Sequence, residues 1–105
     1  MKGITYYNKQ VKNAGLYYIG HWHQEFLRIE LNDCLIDVSL QCGKLCDLFS
    51  DVFDLDGLDS GIYAHEIVGK YCRIGVNEEF DIVSIGHIIN NDFIKLEDLQ
   101  REVKE

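Results

Sequence analysis

The sequence predicts a single α+β domain spanning residues 1–105, and three observations indicate that fold class. Two strand-like runs before residue 41 alternate apolar and polar residues. Apolar residues then recur at helical spacing. Two further strand-like runs and a short helical pattern follow. We therefore expect an antiparallel β-sheet, built from a meander and a C-terminal hairpin, with one central helix and a short C-terminal helix.

The first part of the chain predicts an opening hairpin and then a meander. The runs 4–7 and 16–19 are rich in aromatic and β-branched residues, and turn residues at 13–15 separate them. Apolar and polar residues alternate over 26–31, and a short turn at 32–33 leads into a second alternating run. Because the connection is so short, the two alternating runs should be antiparallel neighbours.

Beyond residue 40 the apolar period changes. From Leu45 to Phe53 the apolar residues are spaced as on one face of a helix. Alternation returns at 70–76, and the run 80–89 is apolar on both faces, which is typical of a strand covered on each side. The pattern at 93–103 predicts a C-terminal helix that docks on the sheet.

Composition limits the classes of function. With 47% hydrophobic and 27% charged residues, the chain has the balance of a globular domain rather than a disordered segment. Its formal net charge of −8 disfavours direct contact with nucleic acid, which is bound through a surplus of Lys and Arg. The same acidity favours solubility or binding to a basic groove. No stretch has the pattern of a signal peptide or a membrane span, so we expect a cytoplasmic protein that does not contact membranes.

Two histidines and two cysteines lie where a meander would bring them together. His21 and His23 lie in the turn between its first two strands, and Cys42 and Cys46 follow its third strand. In a meander, the turn with the two histidines and the end of the third strand lie at the same edge of the sheet. Histidines at i and i+2 can point the same way in extended backbone, and cysteines at i and i+4 share a helix face. Two imidazoles and two thiolates suit tetrahedral zinc, so we predict a structural zinc site with a filled ligand shell.

Other interpretations of these side chains stay open. Cysteine is often buried as a small hydrophobe, and Cys42 and Cys46 fall on the apolar side of the predicted helix. The histidines would then be ordinary turn residues. If the meander does not form, Cys72 and His87 are the substitute ligands. Otherwise we expect Cys72 in a strand core and His87 as a hydrogen-bonded histidine on an apolar strand.

Aspartates cluster within and after the predicted central helix. They do not form an EF-hand loop, because Val52 and Tyr63 stand where the first and last carboxylates are needed if Gly57 is the invariant glycine. The cluster is therefore either a solvated surface or a ridge that faces a partner. Its members are Asp47, Asp51, Asp54, Asp56 and Asp59.

Motifs for catalysis are missing from the sequence. There is no Gly-x-Ser-x-Gly elbow, no phosphate-binding glycine loop and no His-Glu-x-x-His helix. Glu25, beside the two histidines, could act as a base next to a zinc with an open position, and this is the only hydrolase-like arrangement. We therefore expect no enzymatic activity, with a small zinc-dependent hydrolase as the alternative.

Two segments resemble known small proteins. Residues 69–75 read Gly-Lys-Tyr-Cys-Arg-Ile-Gly, and residues 82–93 contain the run Ile-Gly-His-Ile. They resemble strands in small proteins of phages and mobile elements. In size and acidity the chain is also similar to anti-CRISPR proteins, which inhibit the RNA-guided DNA nuclease of type II CRISPR systems.

The resemblance implies a function through binding. A stoichiometric inhibitor would occupy a basic nucleic-acid channel of that effector nuclease in the bacterial host cytoplasm and block loading of guide or target. The aspartate cluster is the expected contact, and a zinc-holding member of the class would fit the predicted metal site. A phage structural or regulatory domain with another partner is the remaining alternative.

Overall fold

Two antiparallel sheets and two short helices form the fold, as seen in a computed structural model that describes residues 3–19, 24–56 and 63–100. The predicted α+β class is confirmed. The strands are β1 (Thr5–Gln10), β2 (Asn13–Ile19), β3 (Gln24–Glu30), β4 (Leu35–Ser39), β5 (Tyr71–Val76), β6 (Ile82–Gly86) and β7 (Phe93–Lys95). The helical segments are α1 (Leu45–Asp47), a π-helical turn (Leu48–Val52), a 3₁₀ turn (Ala64–Ile67) and α2 (Leu96–Gln100).

Strands β2, β3 and β4 form the predicted meander as a three-stranded sheet. Leu27 of β3 lies opposite Val38 of β4, and Ile29 lies opposite Ile36. All four side chains are buried, because the period-two pattern places them on the face of the sheet that meets the core. Burying each of these aliphatic side chains stabilises the fold by roughly 1.5–3 kcal/mol.

The predicted opening hairpin is wrong. Strand β1 pairs with β5, and the second sheet has the order β1-β5-β6-β7. The chain crosses between the sheets at two adjacent residues: Val11 donates its N–H to Lys70, and Lys12 donates to Glu30, each at 2.8 Å. The turn-like residues 13–15 belong to β2 and pair with β3, so they extend the chain instead of reversing it.

The C-terminal part also departs from the prediction. The helix begins at Leu96 rather than at residue 93, because Phe93 and Ile94 pair with Gly86 and Ile85 as a third strand beyond the predicted hairpin. The short helix docks as expected, since Leu99 is completely buried.

The helical segment after β4 covers the core. Leu48, Phe49, Val52 and Phe53 are buried and join the inner residues of both sheets in one hydrophobic cluster. The Phe49 and Phe53 rings meet edge to face, with centroids 6.5 Å apart. Within the described ranges, no helix combines the length and the apolar character needed to cross a membrane.

Candidate functional site

The sheet edge that the zinc prediction requires is formed by the ends of three strands. Ile19 and Gln24 are the last pair between β2 and β3. Leu40, just after β4, donates its N–H to the carbonyl of Glu25 at 3.3 Å. The chain therefore leaves β4 at the same edge where β2 gives way to β3, as the meander predicts.

The two cysteines at this edge differ in exposure. Helix α1 begins at Leu45, so Cys42 precedes it, and the predicted helix face shared with Cys46 does not form. Cys42 is buried, whereas Cys46 is exposed. His21 and His23 lie outside the described residues, and among those described no three His, Cys, Asp or Glu residues come together as a metal-binding group. The zinc site stays a prediction.

Neither of the other two cysteines presents a reactive thiolate. Cys72 lies in the core of β5, as expected, and burial raises its pKa to about 12. Cys34 is half-buried, and burial, followed by the charge of Asp33, raises its pKa as well. Both groups stay neutral thiols at neutral pH, and neutral thiols are poor nucleophiles and poor metal ligands.

His87 is a buried histidine whose two ring nitrogens are both engaged. Its Nδ1 accepts hydrogen bonds from the backbone N–H groups of Ile89 and Asn90, at 3.0 and 3.1 Å. The proton therefore sits on Nε2, which donates to Asp54 Oδ2 at 2.6 Å. This agrees with the expected hydrogen-bonded histidine. Because neither nitrogen has a free lone pair, the ring is not placed to bind a metal or to act as a base in this conformation.

Asp54, the partner of His87 in this hydrogen bond, has a left-handed backbone conformation. Its φ of 56° lies in the left-handed region, which aspartate tolerates better than most residues. The bond to His87 therefore fixes the exit of the central helical segment against β6. Sequence reasoning missed the pair because the two residues are 33 positions apart and no local motif links them.

The described aspartates of the cluster lie within the central helical segment and in the chain just after it. Asp51, Asp54 and Asp56 are exposed, and half-buried Asp47 lies 3.7 Å from the Lys44 ammonium group. The fifth member, Asp59, lies outside the described residues. An exposed ion pair of this kind contributes little to stability.

Folding adds two further aspartates to this surface. Asp92 and Asp98, from the segment before β7 and from α2, border a hollow of about 410 Å³ together with Asp47 and Asp51. Lys44 and Lys95 also border it, so the hollow is acidic but partly neutralised. This arrangement could not be predicted from local sequence, because it depends on how the folded chain brings residues 91–98 next to residues 44–51.

Comparison with protein-family models, curated proteins and solved structures finds no match for this chain.

Proposed function

We propose that this protein inhibits by binding: its acidic surface occupies a basic nucleic-acid channel of the RNA-guided DNA nuclease of type II CRISPR systems. The protein acts in the bacterial cytoplasm, binds one nuclease molecule and performs no reaction itself. The observation that supports the proposal is the set of exposed carboxylates within and just after the central helical segment, at Asp51, Asp54 and Asp56.

The charges suit such a target. Asp51 and Asp56 are exposed, and Asp92 and Asp98 border the same hollow as Asp51, so several negative groups are offered as on a nucleic-acid backbone. A formal net charge of −8 also speeds association with a basic surface, because complementary potentials steer the encounter.

The charge-reversal variant Asp51→Lys with Asp56→Lys should weaken binding to the guide-free nuclease at least tenfold. Both side chains are exposed, and neither takes part in the His87 bond. Two reversed charges at an electrostatically steered interface lower the association rate and the affinity together. Isothermal titration calorimetry at two salt concentrations measures the loss, which should shrink at high salt.

A matched control separates this surface from net charge. Glu30→Lys with Glu66→Lys makes the same change in formal charge, from −8 to −4, at two exposed positions elsewhere. Equal weakening by both variants would show that only total charge matters and would remove the aspartate cluster as the contact.

Structural zinc is the second part of the proposal, with His21, His23, Cys42 and Cys46 as ligands. The supporting observation is the shared edge at the end of β4 described above. A filled shell of two imidazoles and two thiolates would stabilise the chain around this edge rather than perform chemistry.

Alkylation with iodoacetamide at pH 8 tests the zinc ligands. In chelator we expect exposed Cys46 to react first and buried Cys72 to stay protected, because burial raises the Cys72 pKa to about 12. With one equivalent of zinc, Cys46 should become protected while half-exposed Cys34 keeps its rate. Mass spectrometry of the peptides gives each rate. A Cys46 rate unchanged by zinc would refute the site.

A further inference from the structure

Phe80 combines two unfavourable features in one side chain. It lies in the turn between β5 and β6, and 86% of its surface is exposed to solvent. Its φ of 66° is in the left-handed region, which is an outlier for a bulky residue. Glycine or asparagine would relieve the backbone strain and remove the exposed ring. The hydrogen bonds of the turn hold this backbone conformation, but they do not require an exposed aromatic ring at this position.

The turn that carries the ring is tightly held. The side-chain oxygen of Asn77 accepts hydrogen bonds from the N–H groups of Glu79 and Asp81, both at 2.9 Å. Asn77 also donates to the Asp81 carbonyl at 3.0 Å, and its own carbonyl accepts from Phe80 at 3.1 Å. These bonds fix the backbone on both sides of the ring. A side chain on such a turn loses little backbone freedom when it binds.

Apolar and acidic groups surround the ring. Phe80 borders a hollow of about 390 Å³ to which Ile82 and Tyr7, itself 45% exposed, also contribute. Lys9 borders the hollow as well, but its charge is paired with Asp33 at 3.0 Å. Exposed carboxylates flank the ring on the turn itself, at Glu78, Glu79 and Asp81. A complementary surface would therefore offer an apolar socket with a basic rim.

We propose that Phe80 is an anchor residue that inserts into an apolar socket, bordered by Lys or Arg, on the protein partner. Buried aromatic anchors surrounded by polar contacts carry much of the energy of protein interfaces. The inference rests on the proposed function for the identity of that partner, the type II effector nuclease.

The anchor extends the interface beyond the aspartate cluster. Phe80 precedes β6, whereas His87, which holds Asp54, follows it. These two residues are seven positions apart, so the chain separates the two contacts by at most roughly 23 Å. An interface of standard size covers about 800 Å² on each partner and can include both.

Calorimetry with the purified guide-free nuclease tests the anchor. We expect Phe80→Ala to weaken binding about 30-fold, which is typical of an anchor residue. Tyr71→Ala is the matched control, because Tyr71 is also an exposed aromatic residue, 56% accessible, but lies at the far end of β5. It should change the affinity less than threefold.

A stability measurement tests whether the Phe80 ring stabilises the fold instead of binding the partner. Phe80→Asn should leave the melting temperature unchanged or raise it, since asparagine tolerates the left-handed backbone. A melting temperature lowered by several degrees would show that the ring serves the fold and would overturn the inference. Wild-type binding with no effect of Phe80→Ala overturns the anchor alone. No binding by the wild type overturns the anchor and the proposed function together.

Discussion

We expect Gly86→Ala to lower the free energy of unfolding by about 3 kcal/mol. A Cβ atom on Gly86 would overlap the Phe93 ring and lie 2.8 Å from the carbonyl oxygen of Asp92. That oxygen also accepts a hydrogen bond from the His87 N–H at 3.2 Å, so the backbone has little freedom to move aside. Phe93 in turn packs against Tyr6 with tilted rings whose centroids are 5.1 Å apart, which restricts the Phe93 ring. Urea denaturation measures the loss.

Gly15→Ala is the control for this substitution. It is also a strand glycine, but a Cβ there meets no heavy atom within 4 Å. We expect a change within about 0.5 kcal/mol, since alanine also restricts the unfolded chain. Equal destabilisation at both positions would mean that the close packing over Gly86 is not what limits the side chain.

His87→Ala should cost about 3 kcal/mol of unfolding free energy, because it deletes a buried ring together with its hydrogen bonds. The ring is 5% exposed and bonds Asp54, Ile89 and Asn90. Its removal leaves two backbone N–H groups without their partner. Thermal and urea unfolding of the same variant give the size of the effect.

Two further variants show whether the effect of His87→Ala comes from its hydrogen bonds. His65→Ala removes an exposed histidine and should be close to neutral. Asp54→Asn keeps a residue that tolerates the left-handed backbone but removes the carboxylate, so we expect a loss of about 1 kcal/mol. If His87→Ala were as mild as His65→Ala, the ring would not join the helical segment to β6.

The fold was predictable where one face of an element is buried. Leu27 and Ile29 alternate with polar residues, and that period alone fixes which side of β3 meets the core. The pairing of β1 was not predictable. Its partner Tyr71–Val76 lies more than sixty residues along the chain, and nothing in residues 4–7 distinguishes that strand from β2. Long-range pairing is decided by the packing of the whole core.

The residues of the candidate site also fall into two groups: those that local sequence identifies and those that only the folded structure brings together. Asp51 and Asp56 were identified from local sequence, because the polar side of an amphipathic helix and the turn after it face solvent. Asp92 and Asp98 come beside Asp51 only in the folded chain, where the three residues border one hollow. The proposed anchor Phe80 was also not identified from the sequence, because it lies at the start of the apolar run 80–89 that predicts a strand. Only its left-handed φ and its exposure separate it from a core residue.

A DNA-cleavage titration tests the central claim most directly. Purified nuclease is incubated with increasing amounts of this protein, then given guide RNA and target DNA, and the cleaved fraction is measured. The account predicts that cleavage falls linearly and stops near one molecule of inhibitor per nuclease. Cleavage that continues undiminished at a large molar excess of the protein would contradict it.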